Sequence, residues 1–454
     1  MEYVDIAILY EKAARELDVA CVIKYLAKQQ HGLNVEIVQW PYGFQQAHRL
    51  FRPKVVVLPF HYRVMGQEYL YGWQGSIFFN FTWEQLFYSG NIKAKTPRGS
   101  FVTDHLIHHA WSDEYAGLLR RQGVPSERIF INGHPAYALY DEPYRRYFKQ
   151  RSDLALQYGL DPSKKWIFFP ENYNWAFYSQ AMLQQMITDG QPPDQVFAMR
   201  DYAYRSFEAV IKWCETLAKR DGIELVIRPR PATLVEDFVA RVLEVISALP
   251  DHMHILHQES VREWIMASDV VVSSYSTSLI EASIANKAIY ILEPYPIPKS
   301  LRQDWHRLVP RVTSEVEFLN VCLNRSGRLA HDRLGTWARS TLLARGDPIQ
   351  NVVDQLAKIC RGESLLPPTP TWQSVTPDVG RPLPRWLIYA YYRLYFEVLR
   401  WAPPYFVYWY RRLRGRKPVV GVDPEYEADM VDQDEIQRRV RRWEHVFTDP
   451  LANK

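Results

Sequence analysis

The chain has 454 residues, 47% hydrophobic and 23% charged, the balance of a globular protein too long for one core. Its formal net charge of +4 is too small, and its basic residues before position 411 too scattered, to argue for nucleic acid as a partner. The four cysteines (Cys21, Cys214, Cys322, Cys360) are widely separated, which excludes a disulfide framework or a zinc site by spacing and points to a reducing compartment.

No basic region leads into an apolar stretch at the N-terminus, and no uncharged apolar run reaches about 18 residues, so neither a secretory signal nor a membrane-spanning helix is expected. The expected location is the cytoplasm, with the inner face of the plasma membrane as an extension of it. The aromatic content, 14% with 15 Trp and 29 Tyr, suits contact with sugar or with a membrane interface as well as large cores.

In chain order, residues 4–10 read as a strand and 12–30 as an amphipathic helix, followed by strands at 35–40, 54–60, 77–81, 107–111 and 129–132. Asn80-Phe81-Thr82-Trp83-Glu84-Gln85 follows one of these strands and is expected to start a helix capped by Thr82, with Glu84 or Gln85 facing a cleft. Asp104, His108, His109 and Gly133-His134-Pro135 lie at or near further strand ends. A general base for an acceptor hydroxyl is sought in this region, with Glu84 and His134 as candidates.

A charged helical connection is expected over 144–165. Strands then recur at 165–169, 223–228, 254–256, 270–273 and 288–292, with helices at 200–220, 234–249, 260–267 and 278–285. Strands alternating with helices imply two α/β units, each a parallel sheet that binds ligands beyond the carboxyl ends of its strands.

Three strand exits of the second unit carry chemistry. Phe168-Phe169-Pro170-Glu171-Asn172-Tyr173-Asn174-Trp175 places a carboxylate among amides and aromatics, where a sugar is held. Ile227-Arg228-Pro229-Arg230-Pro231 fixes two guanidiniums on a stiff loop suited to phosphate. Asp269-Val-Val-Val-Ser-Ser-Tyr-Ser-Thr-Ser-Leu-Ile-Glu281-Ala runs from a strand through Ser273, Ser274, Ser276, Thr277 and Ser278 into a helix, a junction of hydroxyls, unpaired backbone N–H groups and positive dipole. Glu281, one turn on, is placed to reach a sugar or ribose hydroxyl.

From Leu365 the chain becomes proline-rich, then dense in Trp, Tyr and Phe over 385–410, and then basic at Arg411, Arg412, Arg414, Arg416 and Lys417. Aromatics beside clustered cations suit a helix lying in an anionic headgroup layer, and equally a tail that packs back on the first domain. There is no G-x-x-x-x-G-K-[ST], G-x-G-x-x-G, H-E-x-x-H or G-x-S-x-G, so ATP hydrolysis, dinucleotide binding, zinc proteolysis and α/β-hydrolase chemistry lose support. Without a D-x-D metal–diphosphate motif, Arg and helix-terminus stabilisation of a leaving phosphate is favoured over Mg²⁺, and neither metal nor cofactor is expected.

The segments Phe-Asn-Phe-Thr-Trp-Glu-Gln (79–85), Gly-His-Pro (133–135), Phe-Pro-Glu-Asn-Tyr-Asn-Trp (169–175), Arg-Pro-Arg-Pro (228–231) and Ser-Ser-Tyr-Ser-Thr-Ser-Leu-Ile-Glu-Ala (273–282) resemble the bacterial surface carbohydrate biosynthesis protein family over residues 1–360. That family is similar to GT-B glycosyltransferases and UDP-N-acetylglucosamine 2-epimerases. More distantly, the Arg-Pro-Arg-Pro and Ser-Ser segments resemble CDP-glycerol glycerophosphotransferases, polysialyltransferases and Kdo transferases. Those often carry Lys-x-His-Pro, so Arg228-Pro-Arg230-Pro keeps the positive charge and lacks the histidine.

The resemblance implies a GT-B-like α/β fold of two Rossmann-like domains facing a cleft. The expected divisions are an acceptor domain at 1–143, a connection at 144–164, a nucleotide-donor domain at 165–362, a linker at 363–384 and an aromatic, basic helical appendage at 385–454. It further implies transfer of a sugar from a CMP- or UDP-activated donor to a cell-surface polysaccharide, capsule or lipopolysaccharide, with a lipid-linked glycan as one form of acceptor. Arg228, Arg230, Ser273, Ser274, Ser276, Thr277 and Ser278 would hold the donor, Glu171 and Glu281 would orient ribose or sugar, and Glu84 or His134 would accept the proton. A UDP-sugar 2-epimerase and a non-catalytic glycan-assembly scaffold are the alternatives. An anionic membrane touched by residues 385–417 is the further expected partner.

Overall fold

The computed structural model describes residues 2–40, 44–61, 72–230, 233–324, 332–370 and 431–449, with positions 384, 386, 387, 390 and 394. They form two compact units. Met1–Phe87, Asn91–Leu139 and Thr341–Lys454 make the first, and Tyr88–Gly90 with Tyr140–Ser340 the second.

The first unit is built on β1 (Glu2–Tyr10), β2 (Val35–Gln39), β3 (Phe51–Leu58), β4 (Ile77–Asn80), β5 (Leu106–Ala110) and β6 (Ile129–Ile131), paired in parallel in the order β2-β1-β3-β4-β5-β6. The second is built on β7 (Lys165–Pro170), β8 (Ile223–Arg228), β9 (Met253–Ile255), β10 (Val270–Ser273), β11 (Ala288–Leu292) and β12 (Arg311–Val312), also parallel, in the order β12-β11-β10-β7-β8-β9. Every residue of β4, β8 and β10 is buried, because helices cover both faces of the sheet, and this is why these runs show no alternation of apolar and polar residues.

In each sheet the strand order reverses once. The chain leaves β1 in one direction through β2 and returns on the other side as β3. It leaves β7 through β8 and β9 and returns on the other side as β10. The carboxyl ends of β1 and β3, and of β7 and β10, therefore flank the crevice where such sheets take ligands.

Several expected elements differ. No helix begins at Thr82, which instead sits at a φ of 50°, a left-handed conformation that a β-branched residue rarely adopts. The Gln85 side chain satisfies the open backbone there, its Nε2 donating to the carbonyls of Thr82 (3.1 Å) and His109 (2.9 Å) while its Oε1 accepts from the Trp111 N–H (2.8 Å). Gln85 is thus buried rather than facing a ligand. The connection expected as continuous helix over 144–165 is a short turn, Tyr144–Tyr147, and a helix, Arg151–Tyr158, ended by Gly159 at a φ of 68°.

The second domain was expected to run to residue 362, but helix Pro348–Arg361 belongs to the first unit, beside the helix Asp18–His31. Its buried stripe, Ile349, Val352, Val353, Leu356 and Ile359, has helical spacing, which reveals an inward face without telling which unit it serves.

In the order of the chain we call Asp18–His31 α1, Ser278–Ile284 α2, Pro348–Arg361 α3 and the final helix, Gln433–Thr448, α4. The last of these packs on the first. Trp443 is fully buried and its Nε1 donates to the Asp18 carbonyl (3.1 Å), the Arg439 Nη1 meets the buried Asp18 carboxylate at 2.6 Å, and Phe447 stacks on Tyr25. Back-packing thus holds for residues 433–448. Residues 385–417, on which membrane contact was expected, lie outside the described residues apart from positions 386, 387, 390 and 394. Among the described residues no helix is long and apolar enough to cross a membrane.

Emptying the Trp443 site should cost about 3–5 kcal/mol. Trp443→Ala in the full chain is expected to lower the urea midpoint accordingly, and an unchanged midpoint would mean that α4 lies outside the cooperative fold of its unit.

Candidate functional site

In the second unit the polar residues gather at the exits of β7, β8 and β10. The Ser273 hydroxyl, fully buried, donates to the Pro170 carbonyl (2.6 Å) and ties the two strand ends at the reversal point together. Ser274 beside it is also fully buried, and its hydroxyl has no partner. Ser276 accepts from the Ser278 N–H (3.3 Å) and donates to the Ser278 hydroxyl (3.1 Å), a local turn that opens α2. Thr277 is exposed and makes no capping bond.

Glu171 leaves β7 into a buried position, one carboxylate oxygen accepting from the Tyr173 N–H and the other, Oε2, without a partner. Burial pushes this carboxyl up to about 7, against the lowering effects of the Tyr173 N–H, the Arg230 charge and the Arg230 backbone.

The two arginines of the Arg-Pro-Arg-Pro loop reach to opposite neighbours of β8. Arg230 Nη1 donates to Asn172 Oδ1 (3.2 Å), on the β7 side and next to Glu171. Arg228 Nη2 donates to the Glu259 carbonyl (3.1 Å), on the β9 side. Arg228 is buried, its Nε has no partner, and burial brings its guanidinium down to about 10. Arg230 is therefore the arginine on the reversal-point side. Glu281 Oε2 accepts from the Tyr140 hydroxyl (2.7 Å), and burial raises its carboxyl against the pull of Arg262 and of that hydroxyl. Tyr202 and Tyr275, whose rings lie 6.4 Å apart, and the buried Tyr173 add an aromatic wall that the sequence did not announce, since Tyr202 comes from the middle of the helix Pro193–Ala218.

In the first unit Glu84 is paired with Arg15 Nη1 (2.6 Å) and contacts the Lys95 ammonium, so two cations already neutralise it. Arg15 also holds Glu11 (2.9 Å) and Glu16 (2.8 Å). Glu16 is fully buried in a π-helical turn, Ala13–Leu17, directly past β1, and burial pushes it up to about 7 against Arg15. Nothing local marked it, because its carboxylate is drawn inward by the Glu11 N–H (2.8 Å) five residues back.

His134 is buried between the rings of Trp111 (3.8 Å) and Tyr137 (4.1 Å), and its Nδ1 accepts from the Ala136 N–H (3.3 Å). The neutral ring therefore carries its proton on Nε2. His108 and His109 are fully buried in β5 and held neutral by that burial, down to about 4 and about 3. Asp104 only accepts from the neighbouring Thr103 hydroxyl (2.7 Å). Among the described residues no group of three or more His, Cys, Asp or Glu is arranged to hold a metal.

No protein-family model matches the chain, and no curated protein matches it. Solved structures do. A putative UDP-N-acetylglucosamine 2-epimerase from Listeria monocytogenes aligns at a TM-score of 0.50 and 12% identity, over 82% of this chain and 99% of its own. An S. aureus protein solved with UDP, MnaA, aligns at 0.50 and 13% over the same shares. A structure of the wall teichoic acid polymerase TagF aligns at 0.52 and 10%, over 79% and 89%. The fold is accordingly GT-B-like: α/β, with two Rossmann-like units and a helix at the C-terminus.

The Glu171 carboxyl is protonated in the folded protein well above its ordinary value of 4.5, so it contributes most stability below that value and loses its contribution as pH rises through about 7. Glu171→Gln should match the wild type near pH 5 and gain thermal stability relative to it near pH 8.5. Equal melting shifts at both pH values would show that this carboxyl is ionised throughout.

Proposed function

We propose that the chain is a glycosyltransferase that moves a sugar from a CMP- or UDP-activated donor to a cell-surface polysaccharide acceptor. The observation that carries this reading is the pair of buried, unpartnered polar atoms, Glu171 Oε2 and Ser274 Oγ, on either side of the β7/β10 reversal beside Arg230. Buried polar atoms nearly always have partners, and the exits of reversal-point strands are where α/β sheets take ligands.

The donor phosphate lies on the side of Arg230, Ser274, Ser276, Thr277 and Ser278, while Arg228 adds fixed positive charge from the β9 side. Glu171 and Glu281 orient ribose or sugar. Positive charge fixed in advance on the leaving phosphate supplies the main rate term, and no metal is invoked. The first unit takes the acceptor, with Glu84 or His134 accepting its proton. Glu84 serves once Arg15 or Lys95 releases it, and His134 once its ring proton moves to Nδ1. The reaction belongs to the cytoplasm, and a lipid-linked acceptor would bring the basic tail to an anionic membrane.

The likeness in fold to a UDP-N-acetylglucosamine 2-epimerase favours one competitor, epimerisation of a UDP-sugar, which needs no acceptor. Proton NMR of UDP-N-acetylglucosamine incubated with the protein alone separates the two. For the donor site the test is calorimetric titration with CMP and UDP. Arg230→Ala should weaken the nucleotide that binds by at least tenfold, the worth of about 1.4 kcal/mol expected of a charge-assisted bond. Undiminished binding of both would remove Arg230 from the site.

A further inference from the structure

A second cluster of unsatisfied groups lies in the first unit, at the exits of β3 and β4. The hydrogen bonds fix the orientation of His108 and of the Asn80 amide. His108 Nε2 points at the Val102 carbonyl (2.9 Å), so that nitrogen carries the ring proton and Nδ1 is an acceptor. Facing that Nδ1 among the described residues is the Asn80 amide nitrogen, at 3.3 Å, which spends one amide hydrogen there. The second hydrogen goes to the His61 carbonyl at 3.5 Å. Asn80 Oδ1 is thereby fixed as an acceptor facing the other way. It is fully buried, and among the described residues no donor reaches it.

His61, three residues past β3, completes the cluster. Its ring stands edge-on to Phe101 with centroids 5.0 Å apart, it is 3% exposed, and its Nε2 has no partner either. Burial, with the neighbouring His108, brings its titration down to about 3, so the ring is neutral across the physiological range. The set thus offers one obligatory acceptor and one imidazole nitrogen that either donates or accepts, with no net charge. A phosphate would meet the lone pairs of Asn80, and among the described residues no cation hydrogen-bonds to the set, Arg128 acting on His108 only through its charge. A carboxylate fails for the same reason. A hydroxyl matches this set in chemistry, being able to donate to Asn80 Oδ1 and to accept from, or turn toward, His61 Nε2.

We infer that His61 and Asn80 form a hydroxyl-binding subsite at the exits of β3 and β4, held in register by His108, and that it takes a hydroxyl of a neutral sugar. This rests on the transferase reading, in which the first unit receives the acceptor, and gives that acceptor a specific foothold. Asn80 and His61 position the sugar, and proton acceptance stays with the groups named above. The requirement is one hydroxyl in a dry setting, where a site built to bond it discriminates strongly against analogues lacking it.

The test uses the full-length chain labelled with ¹⁵N-histidine, and methyl β-D-glucopyranoside and methyl N-acetyl-β-D-glucosaminide as probes. The expected result is a saturable shift of the His61 ring nitrogens with at least one glycoside and none with 1,2-dimethoxyethane, which lacks a hydroxyl. His61→Phe keeps the ring against Phe101 and removes both nitrogens, and should weaken that glycoside about tenfold. Ring signals that ignore both glycosides would mean that the cluster holds only a buried water, and the inference falls. Equal affinity in wild type and His61→Phe also overturns it. Calorimetry with CMP and UDP on the same sample separates the two readings. Nucleotide binding with a silent His61 leaves the transferase standing without this subsite, while a responsive His61 without nucleotide binding leaves a sugar-binding unit and removes the transferase.

Discussion

A parallel sheet covered on both faces leaves its polar side chains very few places to go. Inside β4, β8 and β10 every position is sealed, and a polar group there must find a partner within the protein or reach the strand's exit. Most do find one. The Ser273 hydroxyl takes the Pro170 carbonyl, Asn132 takes the Pro348 carbonyl at 2.8 Å, and Gln85 rebuilds the backbone bonds that Thr82 leaves open. Among the atoms that fail, Glu171 Oε2, Ser274 Oγ, Asn80 Oδ1 and His61 Nε2 belong to strand exits, while others, such as Arg151 Nε in the helix Arg151–Tyr158 and His306 Nε2 in the turn Asp304–Leu308, do not. At a strand exit an unpaired group is costly, because the same solvent exclusion forces pairing elsewhere.

Charge follows the same rule. A carboxyl moved from 4.5 to about 7 favours its neutral form by roughly 3 kcal/mol. At Glu171 that energy comes from desolvation and outweighs Arg230, whose guanidinium is engaged with Asn172 rather than with the carboxylate. At Glu16 the ion pair with Arg15 is direct, and desolvation still wins. Arg15 serves three carboxylates at once, Glu11, Glu16 and Glu84, so none receives its full charge.

The strands were legible in the sequence because β-branched runs such as Val55-Val56-Val57 and Val270-Val271-Val272 have no other reading at that length. β12 was not, since two residues at a sheet edge carry no pattern. The Phe-Pro-Glu-Asn, Arg-Pro-Arg-Pro and Ser-Ser segments do lie at strand exits, as their position after apolar runs implied. The direction of each side chain was not readable. Arg228 and Arg230 are two residues apart, yet their contacts go to different neighbours, a choice made by Glu259 and Asn172 from distant segments. Glu16, Asn80 and His61 were passed over for a related reason. Their significance lies in burial and, for Asn80 and His61, in missing partners, which long-range packing decides, whereas Glu84 stood out as a charge at the start of an expected helix and turns out to be well neutralised.

The two units solve one problem with different charge. In each, a buried glutamate follows the first strand of the sheet, Glu16 after β1 and Glu171 after β7, and each titrates near 7. Around Glu171 stand Arg230 and an unpartnered serine hydroxyl. An anion arriving there meets a fixed cation and, at neutral pH and below, a carboxyl that is often uncharged, so repulsion is small. Around Glu16 the single guanidinium is already shared among carboxylates, and the open groups nearby in the fold, Asn80 and His61, carry no charge. A phosphate gains little in such surroundings, while a hydroxyl loses nothing. In the proposed reading, this charge distribution suits the nucleotide to the second unit and the sugar hydroxyl to the first.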